Sequence, residues 1–152
     1  MHKLLLTLGI TGTVGSLLLF NPAVAQVIAP TKKAAHVEII NGPGLEIATD
    51  FLIIVRWVTN NPGGSTDHVG VVYYGTDPKD LSQTAKSPIR LNQDHPNTIF
   101  RVRIQGLKPR TTYYYRVASE ESNGTSDGVK STVNKFTTPG PGERIVAYPK
   151  RD

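Results

Sequence analysis

The chain has 152 residues, with 14 Gly, 11 Pro, no Cys and a formal net charge of +5. That length suits one domain around one core, and the missing cysteine excludes disulfides, thiol catalysis, Cys-ligated zinc and lipoprotein attachment. The basic residues are spread among acids rather than gathered in a patch, which argues against a nucleic-acid partner.

Met1-His2-Lys3 is a short basic start, Leu4 to Phe20 is an apolar run, and Ala23-Val24-Ala25 places small residues before Gln26. This is the three-part layout of a secretory signal peptide. The expected cleavage follows Ala25 and gives a secreted or periplasmic protein with no membrane span afterwards. The alternative is an uncleaved anchor, for which the apolar run sits at the short edge of the spanning range. Pro22 also ends a helix where a peptidase needs extended chain. The organisation expected is a signal peptide over 1–25, a polar lead-in over 26–35, a folded domain over 36–139 and a flexible C-terminal tail over 140–152.

Within the folded part, apolar segments alternate with turn chemistry. His36 to Ile40 alternates and stops at Asn41-Gly42-Pro43-Gly44. Phe51 to Thr59 is the richest strand, with Ile53, Val55 and Trp57 on one face and Arg56 on the other. His68 to Tyr74 is β-branched and aromatic and closes at Gly75-Thr76-Asp77-Pro78. Ser87 to Asn92 is a short edge-like piece behind Pro88. Thr98 to Gln105 sets Phe100, Val102 and Ile104 against Arg101, Arg103 and Gln105. Thr111 to Ala118 sets Tyr113, Tyr115 and Val117 against Tyr114 and Arg116, and Val129 to Thr138 ends the series. Period-two alternation with turns every 8–12 residues predicts an all-β, immunoglobulin-like antiparallel sandwich of about seven strands.

Leu107-Lys108-Pro109-Arg110-Thr111-Thr112-Tyr113 resembles the L-x-P-x-T-x-Y stretch of fibronectin type III domains. The resemblance implies that Tyr113 hydrogen-bonds back across the corner and that Trp57 is the core tryptophan, with Leu107, Pro109 and Thr111 completing the corner. Arg56-Trp57-Val58-Thr59, Val71-Val72-Tyr73-Tyr74-Gly75, the Gly106 to Val117 block and Phe136-Thr137-Thr138-Pro139 follow in order. Together, over roughly Val37 to Pro139, they resemble the N-terminal fibronectin-like domain of purple acid phosphatases. That family's metals sit in a separate C-terminal domain with Gly-Asp and Gly-Asn-His type motifs, and no such block is present in this sequence. His36, His68 and His95 are far apart and without paired-ligand spacing. The expectation is therefore no catalytic residue, no metal and no cofactor on this chain.

The same fold pairs the second and fifth strands, so Arg56, Arg101 and Arg103 are expected on one outward face. They form either an anion-binding stripe or a solvated face that guards against edge pairing. Tyr74, Tyr114 and Arg116, beside Lys135, are expected on the outward face of the other sheet. They serve either a sugar or protein partner or cross-strand stability. Tyr73, Tyr113 and Tyr115 are assigned to core or corner, and the three histidines to surface or strand ends. Asn123-Gly124-Thr125 fits a glycosylation sequon and a hairpin turn alike. Three function classes follow. The first is an exported binding module for a surface polymer, a matrix polymer or a protein. The second is an accessory to a metallophosphatase. The third is a structural subunit of an extracellular assembly.

Overall fold

Alternation is strictest in the two strands that form the centre of the molecule. Ile53, Val55, Trp57 and Thr59 of one strand and Thr98, Phe100, Val102 and Ile104 of its neighbour are all buried, while the residues between them face away from the core. The structure, a computed structural model, describes residues 37–60, 65–91, 94–126 and 128–147. The expected signal peptide, the lead-in and His36 lie outside the described residues. The described strands are β1 (Ile39–Thr49), β2 (Leu52–Asn60), β3 (Asp67–Gly75), β4 (Gln83–Arg90), β5 (Asn97–Gln105), β6 (Thr112–Glu121), β7 (Asn134–Thr137) and β8 (Arg144–Val146).

They form two antiparallel four-stranded sheets, ordered β5-β2-β1-β8 and β4-β3-β6-β7. The chain is an all-β sandwich of the fibronectin type III kind. β2 and β5 pair over nine residues without a register shift, and Trp57 stands directly opposite Phe100. Their rings stack with centroids 5.1 Å apart. From the other sheet, Val72, Tyr113, Tyr115, Val117 and Phe136 close the core, with Tyr113 stacked on Phe136. Gly70 faces the aromatic centre of the opposite sheet at close range. A Cβ there would stand 2.9 Å from Phe100 and 3.1 Å from both Trp57 and Val102.

The corner is built as the resemblance implies. The Lys108 N–H donates to the Tyr113 hydroxyl at 3.0 Å, and Leu107 is buried beneath it. Thr138, which the sequence reading did not single out, is the second hub. Its Oγ1 accepts from the Thr111 N–H at 2.9 Å and donates to the Lys108 carbonyl. Arg110, at φ 47°, supplies the left-handed residue of the turn.

Three features differ from the sequence reading. β1 does not stop at Asn41-Gly42-Pro43-Gly44. It runs through to Thr49, absorbing the turn-like residues as register shifts against β2, the usual role of a bulge. The edge strand β4 starts at Gln83, and Pro88 sits within it opposite Val69, where a missing N–H costs no ladder bond. Arg144–Val146, part of the segment expected as a flexible tail, pairs with Ile47–Thr49 as an eighth strand. The turn before it is held by the Gly140 N–H donating to the Glu143 carboxylate at 2.8 Å.

Candidate functional site

Two outward sheet faces carry the charged and aromatic candidates. On the first, the register sets Arg56 opposite Arg101 and Ile54 opposite Arg103, so the three arginines share the outward face. They are not three free cations. Arg101 Nε donates to Glu46 Oε2 at 2.7 Å, and Glu46 falls in the register shift between Leu45 and Ile47. Arg56 is half-buried, and its Nε is shielded from solvent with no partner. The carboxylate in the stripe competes with any incoming anion for Arg101.

The second face requires one correction. Tyr74 was expected to point outward and Tyr73 inward; the structure places them the other way. Tyr74 stands opposite Tyr115, packs against the core and meets Tyr113 with ring centroids 6.4 Å apart. Burial, and the Tyr113 phenol beside it, push the Tyr74 hydroxyl pKa upward. Burial pushes Tyr115 up to about 12. The reason for the reversal is Gly70. The crowding of Trp57, Phe100 and Val102 around it fixes residues 70, 72 and 74 on the inner side, and the intervening residues face out.

Tyr73 therefore stands on the outward face, directly opposite Arg116. Lys130 is opposite Ala118 by an isolated bridge, and Lys86 is opposite Val71. The Lys130 ammonium lies 4.8 Å from the Tyr73 ring centroid and the Arg116 guanidinium 5.8 Å from it, both within cation–π range. Lys86 is held by the Glu120 carboxylate. That hydrogen bond raises the Lys86 pKa, with burial opposing it. Val71 and Ala118 lie beneath this layer, buried yet outside the inter-sheet core. Tyr114, as expected, is on the same face, opposite Gly75 and Lys135. The sequence reading found Arg116 and Tyr114 here but missed Tyr73, Lys86 and Lys130. Only the strand register brings those three together.

His68 stands at the strand end that opens β3 and is buried there, and its Nε2 lies 2.9 Å from the Ser65 carbonyl. His95 is exposed. Among the described residues no three His, Cys, Asp or Glu side chains are grouped to hold a metal. Asn123-Gly124-Thr125 forms the turn after β6, where the Thr125 N–H donates to Asn123 Oδ1 at 2.8 Å and the Gly124 N–H to the Glu121 carbonyl at 2.8 Å. Among the described residues no helix is long and apolar enough to cross a membrane.

Residues 47–138 match the family described as purple acid phosphatase, N-terminal domain. Among solved structures, the chain is similar to the sensor domain of the anti-sigma factor RsgI4 of Pseudobacteroides cellulosolvens, with 21% identity over 71% of this chain and 99% of that one and a TM-score of 0.50. It is also similar to the fn3 domain of human contactin 1, with 16% identity over 89% and 97% of the two chains and a TM-score of 0.41. The FN5 domain of Drosophila Lar gives 20% identity over 66% and 99%, with a TM-score of 0.36. At 21% identity the likeness to the sensor domain is one of fold alone. Among curated protein sequences none matches.

Proposed function

The chain belongs to the family of purple acid phosphatase N-terminal domains, and from that premise we propose that it is an exported, non-enzymatic binding module. Its sandwich serves as a rigid frame for outward-facing side chains that contact a surface or matrix partner. The observation that carries this reading is the second sheet face. Arg116 and Lys130 are held over Tyr73 and form no ion pair among the described residues. Tyr and Arg are the residue types enriched among the anchors of recognition surfaces. The sequence pattern of the leader supports export.

The family match favours a second reading, in which this domain accompanies a metallophosphatase catalytic domain. Phosphoester hydrolysis of that type needs a metal-bound hydroxide and several converging ligands.

One experiment separates the readings. The purified protein is assayed for p-nitrophenyl phosphate turnover with iron, zinc and manganese added. It is also tested for retention on native envelope and matrix material. The binding-module reading expects no turnover and expects retention that falls in Arg116→Gln/Lys130→Gln. Metal-dependent turnover that survives repurification overturns it in favour of the enzymatic reading.

A further inference from the structure

We infer that the outward face around Tyr73 binds an acidic polysaccharide, whose carboxylate or sulfate groups are taken by Arg116 and Lys130. The inference rests on the binding-module reading above and names its ligand class. Four cations, Lys86, Arg116, Lys130 and Lys135, occupy neighbouring register positions on β4, β6 and the chain paired beside β6. Among the described residues their one ion pair is that of Lys86 with Glu120. Arg116, Lys130 and Lys135 form no salt bridge among the described residues. The face is therefore electropositive and unsatisfied, unlike the arginine stripe, where Glu46 already holds Arg101.

The layout fits a polymer better than a small anion. Lys86 and Lys130 flank Val71 and Ala118 in one row across the strands. With strands about 4.8 Å apart, their backbones stand roughly 14 Å from each other. Arg116 lies between them, one row along. An extended chain of acidic sugars crossing the strands meets these cations in succession. The Tyr73 ring fixes two of them by cation–π contact, so little side-chain freedom is lost on binding. Arg116 offers a planar fork for a carboxylate or sulfate.

Other polyanions fit less well. Single-stranded nucleic acid is held by stacking bases on open aromatic faces, whereas cations lie over the Tyr73 ring. An anionic bilayer asks for a cluster of about four to eight basic residues, more than the three free ones here.

The test measures affinity for polygalacturonate and dextran sulfate, with neutral dextran, single-stranded DNA and phosphatidylglycerol vesicles as comparators. The purified protein should bind both acidic polymers in a salt-sensitive way and ignore neutral dextran. Arg116→Gln/Lys130→Gln should weaken binding about tenfold, as expected for losing one half-buried and one exposed charge contact. Arg101→Gln/Arg103→Gln should leave it unchanged. Glu120→Gln frees Lys86 and should tighten binding about two- to fivefold; a gain cannot come from misfolding. Binding lost in the Arg101/Arg103 variant instead, unchanged affinity in the Arg116/Lys130 variant, or preference for DNA or vesicles at equal charge would each overturn the inference. If neither polymer binds while native envelope material is still retained through Arg116 and Lys130, the module reading stands and the polysaccharide inference falls. If retention is absent as well, both fall.

Discussion

Gly70→Ala and Gly44→Ala are the same chemical change in two strands of one domain, and the structure assigns them opposite signs. Neither glycine has a positive φ, so alanine fits both backbones. Restricting the unfolded chain contributes about 0.4–1 kcal/mol in each case. At Gly44 a Cβ meets nothing within 4 Å, and that gain stands. At Gly70 the added carbon would sit 2.9 Å from Phe100 and 3.1 Å from Trp57 and Val102. All three of these side chains are wholly buried or nearly so, and Trp57 and Phe100 are stacked on each other. None can withdraw without displacing another, and overpacking of a tight core costs about 1–3 kcal/mol. The net expectation is a loss of roughly 1–2 kcal/mol at Gly70. In a domain near 100 residues, each kcal/mol moves Tm by about 4–8 °C. Thermal and urea unfolding of both variants read this directly. Unchanged or raised stability in Gly70→Ala would refute the placement of β3 against Trp57 and, with it, the outward position of Tyr73.

Further outcomes follow from the same contacts. Trp57→Ala should cost on the order of 3–5 kcal/mol in urea unfolding, the range for a buried aromatic truncation. Tyr113→Phe should cost about 1 kcal/mol and Thr138→Val about 1–3 kcal/mol, because the Lys108 and Thr111 N–H groups lose their acceptors. Wild-type stability in both would contradict the corner assignment. Tyr115, pushed up from 10 to about 12, keeps its proton in the folded state over a window where the unfolded chain has lost its own. The unfolded state then binds fewer protons, so stability is complete below pH 10 and falls as pH rises towards 12, by about 2 kcal/mol from this residue. Tyr115→Phe should flatten that part of the alkaline unfolding curve; an unchanged curve would contradict it.

Much of this architecture is legible in the chain because two strands obey the pleat strictly. β2 and β5 turn Arg56, Arg101 and Arg103 to one side and bury Ile53, Val55, Trp57, Phe100, Val102 and Ile104 on the other. Period two alone identifies both faces. β3 resists that reading because Val69-Gly70-Val71-Val72-Tyr73-Tyr74 is apolar on both sides, and Val71 and Val72 are equally buried. Only the space demanded by Trp57 and Phe100 at Gly70 decides the parity. β1 looks shorter in the sequence than it is because Asn41-Gly42-Pro43-Gly44 carries strong turn chemistry, here spent on register shifts inside a strand. β8 is three exposed residues whose pairing depends on the edge of β1. The candidate site was half legible. Arg116 and Tyr114 share one strand, but Lys86, Tyr73 and Lys130 lie on separate segments, and Glu46 reaches Arg101 across 55 residues. Such partners are set by register, which a single sequence does not display.

The central claim is that recognition takes place on the Tyr73 face. The most direct measurement is an amide-resolved NMR titration of the purified protein with polygalacturonate. Shifts that saturate together at Tyr73, Arg116, Lys130 and Lys86, with the Arg56, Arg101 and Arg103 face unmoved, are the predicted result. Shifts centred on those three arginines, or none at any polymer concentration, would contradict it.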